Sequence, residues 1–201
     1  MKTRLGLVIA LVEITSAAFL LLLLGQQNLP AEFGVALVFL MPITFGTHVC
    51  EEFIFPGGGS DWFKAYHPEY VEAFTESYYF KINAIPLVLS FLVSLGAFNY
   101  AGGFSFWGVR AWLAFLSMLG FNVIFHIHGE IKTKQHSPGI VTAILLYVPL
   151  MIISFIYLLG TGVVDIISAI LCLAAGSLLQ PALDYLKKRS LKKGEKHGYA
   201  P

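Results

Sequence analysis

Charge is what this chain has least of. Only 12% of its 201 residues are Asp, Glu, Lys or Arg, while 57% are hydrophobic; soluble domains carry about a quarter charged residues. That scarcity excludes an ordinary soluble globular fold, and no nucleic-acid partner is expected. Cysteine is nearly absent too. Cys50 and Cys172 are the two in the chain, and they fall in different predicted helices, so neither a disulfide framework nor a cysteine-rich metal site is available. Gly57-Gly58-Gly59 lacks the lysine and the ordered glycine spacing of a phosphate loop and is read as a flexible turn. There is no low-complexity tract and no repeat covering the chain.

What remains is apolar sequence in long runs. A helix needs about 20 such residues to cross the hydrocarbon of a bilayer. Six segments meet that length: about Leu5 to Leu24, Phe33 to Phe53, Tyr78 to Phe98, Phe106 to His128, Ile140 to Leu159, and Val163 to Leu183. The first is too long for the core of a secretory signal, contains Glu13 and lacks a cleavage site, so it is read as a spanning helix. Glycine, proline and polar residues mark most connections. The expected fold is all-α: a polytopic transmembrane bundle of about six spanning helices in one domain over residues 1–186, followed by a basic tail over 187–201.

Basic residues orient this bundle. Lys187, Lys188, Arg189, Lys192, Lys193 and Lys196 follow the last segment, Lys2 and Arg4 precede the first, and Lys132 and Lys134 lie between the fourth and fifth. With six crossings all three groups fall on one side, which places both termini in the cytoplasm of a plasma or inner membrane. The connection from Pro56 to Glu76 shares that side. Its acids and His67 are read as a solvated surface, and Trp62, Tyr66, Tyr70, Tyr78 and Tyr79 as an interfacial aromatic belt or a lid over a cavity.

Polar residues at membrane depth are costly and usually face a bundle interior. At about 3.6 residues per turn, His48, Glu51 and Glu52 share one face of the second segment. Asn122 and His126 share a face of the fourth, whereas His128 and Glu130 are read as interfacial. Both groups fall at the same end of their segments, which run in the same direction. His136 follows in a turn that can fold back, and Asn83 begins the third segment at that level. Cys50 points away from His48 and is read as a packed thiol.

Imidazoles with carboxylates suit zinc, iron or manganese. The expected metal ligands are His48, Glu52, His126 and His136, with zinc favoured. Glu51, Glu52 and Asn122 are the candidate catalytic residues, a carboxylate left off the metal acting as general base. Asn83 and Trp62 are the candidate substrate contacts.

His48-x-x-Glu51-Glu52, Phe55-Pro56-Gly57-Gly58, Trp62, Asn122-x-x-x-His126 and Ser137-Pro138-Gly139, in that order, resemble the membrane-protein family named for its HXXEE motif. The resemblance implies a membrane-embedded protein whose motif residues bind a metal or transfer protons, and it carries over to His48, Glu51, Glu52, Asn122, His126 and the Pro138-Gly139 turn. The expected function is a metal-dependent hydrolase or group transferase acting on a lipid or other amphiphile at the cytoplasmic face. The competing expectation is a cation- or proton-coupled transporter using the same residues.

Overall fold

In the computed structural model of the chain, residues 32–68, 71, 76–98 and 103–196 are described. They form helices α1 (Glu32–Phe53), α2 (Gly59–Tyr66), α3 (Glu76–Gly96), α4 (Phe106–Thr133), α5 (Ile140–Gly160) and α6 (Ile166–Lys196). Four of these, α1, α4, α5 and α6, are long and apolar enough to cross a membrane. The apolar part of α3, Lys81–Gly96, is shorter. The first predicted segment, with Glu13, lies outside the described residues. The last helix does not stop at the expected edge of the basic tail but continues through it to Lys196.

The central element is α4, which packs against α2, α3, α5 and α6. Its contact with α6 is close because Gly176 has no side chain: a Cβ there would collide with the Ala114 carbonyl and the Ser117 Cβ. At the start of α6, Asp165 caps the helix by accepting from the Ser168 backbone N–H at 2.9 Å. The Ser168 hydroxyl and backbone, then Arg110, hold the Asp165 carboxyl well below the ordinary carboxylate range.

A proline decides how α1 is anchored. Pro42 lies inside the helix, and having no N–H it leaves the Val38 carbonyl one turn back without its helical donor. Two neighbouring helices supply replacements. Ser94 Oγ of α3 lies 3.0 Å from Val38 O and shares its one proton between that carbonyl and the Ser90 carbonyl at 2.8 Å, and Trp112 Nε1 of α4 donates to Val38 O at 3.2 Å. The backbone defect thus becomes a three-helix junction, as expected where no water can satisfy an exposed carbonyl.

Two departures from the sequence reading lie between α1 and α3. The connection expected to be irregular contains α2, whose Gly59, Trp62, Phe63 and Tyr66 are buried at helical spacing. Gly57 and Gly58, at φ 76° and 87°, make the turn that starts it. His67, expected on a solvated surface, is 8% exposed, with its ring 4.4 Å from Tyr66 and 4.9 Å from Phe63, centroid to centroid. Lys132 of α4 donates to the Tyr66 carbonyl at 2.8 Å and so holds the C-terminal end of α2, where a cation is favourable.

The Val38 junction predicts non-additivity. Ser94→Ala or Trp112→Phe alone leaves one donor on the carbonyl, and the pair leaves none. Thermal unfolding of the double variant should show an extra destabilisation of ~1–3 kcal/mol beyond the sum of the singles. Adding Pro42→Ala, which restores a backbone donor, should remove most of that excess.

Candidate metal centre

The motif residues of α1 and α4 meet where α5 begins. His48 Nε2 lies 3.5 Å from Glu52 Oε1, and His126 Nε2 lies 3.8 Å from the same oxygen. These three residues are all buried, and one donor atom from each lies within 4.8 Å of the other two. Tetrahedral bonds of ~2.0–2.1 Å would place ligand atoms ~3.4 Å apart, so the two measured separations are within a few tenths of an ångström of a metal site. The donor set fits a divalent ion of the zinc, iron or manganese kind.

Hydrogen bonds on the far side of each ring settle which nitrogen faces the centre. His48 Nδ1 is 3.0 Å from Thr142 Oγ1. The single proton of that hydroxyl is drawn to acceptors, Glu51 Oε2 at 2.6 Å and the Gly139 carbonyl at 3.1 Å. Thr142 can therefore only accept from His48, so Nδ1 carries a hydrogen, and in the neutral ring Nε2 presents its lone pair. On α4, His126 Nδ1 is 2.8 Å from Ser137 Oγ, and the Asn122 amide nitrogen lies 3.1 Å from Nε2. An amide nitrogen only donates, so here too Nε2 is the acceptor. The Tyr79 hydroxyl donates to Glu52 Oε2 at 3.1 Å, leaving Oε1 toward the imidazoles. Glu52 Oε1, His48 Nε2 and His126 Nε2 thus converge in a buried space, where a cation would take the place of the Asn122 hydrogen bond on the His126 lone pair.

Glu51 is placed differently from its neighbour. It accepts from the backbone N–H of Thr142 at 2.8 Å and of Val141 at 3.3 Å, as well as from the Thr142 hydroxyl. A carboxylate on the N-terminal turn of α5 suits the positive end of the helix dipole. With its oxygens occupied there, Glu51 serves to hold Thr142 and, through it, His48. It does not face the centre as the expected catalytic base would.

His136 is the second correction. Its side chain is 53% exposed and lies 3.9 Å from Glu130 Oε1, away from the cluster. The turn that folds inward is the next one: Ser137, Pro138 and Gly139 are all buried. Gly139 is required by space and by backbone. At φ +93° a Cβ would come within 2.5 Å of His48 Cε1, 3.0 Å of His126 Cε1 and 3.1 Å of Glu52 Cγ. The glycine lets the chain pass directly behind all three candidate ligands.

A cavity of about 400 Å³ adjoins the centre. His48, Glu52 and His126 form part of its wall, and Asn83, Asn122 and Trp62 line it as well, so the expected substrate contacts do meet the expected ligands. Trp62 stacks on His126, with ring centroids 5.8 Å apart and planes 22° from parallel. His128, which points off this face, pairs with the Tyr66 hydroxyl at 2.7 Å. Cys50 is half-buried and forms no disulfide among the described residues.

Sequence reasoning missed Tyr147 altogether. A π-helical turn, Ala143–Tyr147, inserts one extra residue per turn and rotates this fully buried ring against His48, with centroids 4.9 Å apart. Nothing in an apolar span announces such a turn, although π-turns often mark functional sites.

Thr142 provides the test of the hydrogen-bond chain. Thr142→Val keeps the shape but strands the His48 Nδ1–H, and should lower stability by ~1–3 kcal/mol in thermal unfolding. Thr142→Ser, which keeps the hydroxyl, should stay close to wild type.

No curated protein and no solved structure matches the chain. Residues 39–154, more than half of it, match the family described as "Protein of unknown function with HXXEE motif". That stretch runs from α1 to α5 and contains His48, Glu52, His126, Ser137, Gly139 and Thr142, whereas the α6 wall of the cavity lies beyond it. The signature His48-x-x-Glu51-Glu52 is the part of α1 that builds the centre, and the chain belongs to the HXXEE-motif family.

Proposed function

We propose that this chain is a metal-dependent membrane enzyme, with zinc held by His48, Glu52 and His126, that hydrolyses or transfers a group on a lipid or other amphiphile. The observation that carries this reading is the convergence of three acceptor atoms at the wall of a cavity that is otherwise mainly apolar. When bound, such an ion supplies Lewis acidity and a water acidic enough to act as nucleophile near neutral pH.

The protein residues divide the remaining work. Glu51 and Thr142 orient His48, Ser137 orients His126, and Tyr79 orients Glu52, the kind of outer support that fixes ring direction in metal sites. Asn122 and Asn83, neutral amides on the cavity wall, can hold a carbonyl or phosphoryl group of the substrate without adding charge. Trp62 covers His126 and keeps water from that side.

Charge supports placing the centre at the cytoplasmic face. The helices α4 and α6 both run toward the end of the bundle that carries the centre, and Lys132, Lys134 and the basic stretch from Lys187 lie at that end. The positive-inside rule puts it in the cytoplasm.

Elemental analysis of purified protein tests the reading. Wild type should carry one metal per chain, predominantly zinc; His48→Ala, His126→Ala and Glu52→Ala should each lose it, and His136→Ala should keep it. Iron in place of zinc would redirect the chemistry toward oxidation, since two imidazoles with one carboxylate also suit non-haem iron. A metal-free wild type that conducts protons in liposomes would overturn the enzyme in favour of a transporter.

A further inference from the structure

We propose that the cavity binds a single-chain amphiphile with an anionic oxyacid headgroup, a carboxylate or a phosphate monoester, which enters between α3 and α6 and rests its headgroup beside Lys81. The inference deepens the metal-dependent reading of the same cavity and relies on it for where the reacting bond lies. The binding itself is measurable without turnover.

Volume selects one chain. At ~30 Å³ for each water-sized group, a cavity of about 400 Å³ accepts roughly a dozen such groups, enough for the proximal part of one alkyl chain with its headgroup. Two chains do not fit in it side by side. The lining is also graded with depth. Lys81 and Trp62 lie toward the end of the bundle that carries the basic residues, and Phe45, Pro86, Met118 and Leu119 lie on the opposite side of the metal centre. Along α4, Met118 is ~12 Å from His126 at 1.5 Å per residue. A chain lying in this apolar part places its polar end level with His48, Glu52 and His126.

The polar lining selects the sign of charge. Among the described residues Glu52 is the one carboxylate on the wall and Lys81 the one ammonium, so a divalent ion at the centre leaves that lining net positive. Charge-assisted bonds from a lysine to an oxyanion are the strongest contact this set offers.

The route of entry is written in exposure. Ile85 of α3 and Leu186 of α6 line the cavity yet are 60% and 56% exposed. Their outer surfaces therefore face the surroundings of the bundle, which in a bilayer are acyl chains, and an amphiphile can pass between them without entering water.

Binding is tested with the full chain, zinc-loaded, in phosphatidylcholine nanodiscs, with correction for partition into empty discs. The probes are palmitate, hexadecyl phosphate, hexadecanol and hexadecyltrimethylammonium. The two anions should bind about tenfold more tightly than the alcohol and the cation more weakly still, as a single charge-assisted contact implies. Lys81→Gln should reduce the preference for anions to under about threefold, while Lys81→Arg keeps it. Leu186→Trp should weaken every probe. The tighter of the two anions names the headgroup. Equal binding of palmitate and hexadecanol, a preference indifferent to Lys81→Gln, or unchanged binding in Leu186→Trp would overturn the proposal. A wild type that holds no metal but keeps the Lys81-dependent preference would sink the metal reading and leave this one standing. A metallated protein without the preference would do the reverse.

Discussion

The rest of the site depends on one buried carboxylate. Glu52 lies between two imidazoles whose Nδ1 atoms are engaged by Thr142 and Ser137, and the Nε2 of His126 accepts from Asn122 as well. Like partial charges gathered in a medium of low dielectric are unfavourable unless a cation or a proton joins them. The chain meets this constraint by committing three further side chains, Thr142, Ser137 and Tyr79, to holding the acceptors in place. Such an arrangement has no use in simple packing, for which apolar residues of similar volume serve better.

The same constraint explains the shape of the connection from α4 to α5. For Thr142 to reach His48, and Ser137 to reach His126, the turn between the helices must press against the centre, and at Gly139 the backbone does so with no side chain in the way. Glu51 then ties the first turn of α5 to α1. The two acids of the signature have separate tasks: Glu52 faces the centre, and Glu51 fastens the helix that orients it. One turn later the π-helical segment brings Tyr147 onto the other side of His48.

Pro42 and Pro86 each remove one backbone N–H from α1 and α3, and at Val38 the carbonyl left without it is served from neighbouring helices. The short helix α2 gives Trp62 and Phe63 to the cavity wall, and of the residues read as an interfacial belt or a lid, Trp62 lies against His126.

The sequence by itself determined the long apolar helices and the polar inventory. Apolar runs long enough to span a bilayer are a one-dimensional property, and helical spacing alone places His48 with Glu52 and Asn122 with His126. Those pairs are local, and the structure holds them. Whether two such pairs face one another, and which third group joins them, depends on helix packing and on the direction of a turn, neither of which leaves a periodic trace. His136 and Ser137 are adjacent in sequence, and only the fold sends one outward and the other to His126. Glu51 and Glu52 are equally acidic, and only the approach of α5 gives them different partners. The burial of His67 and the rotation of Tyr147 were likewise decided in three dimensions, because a long connection can hide a helix and a π-turn changes which residue faces inward without changing the composition around it.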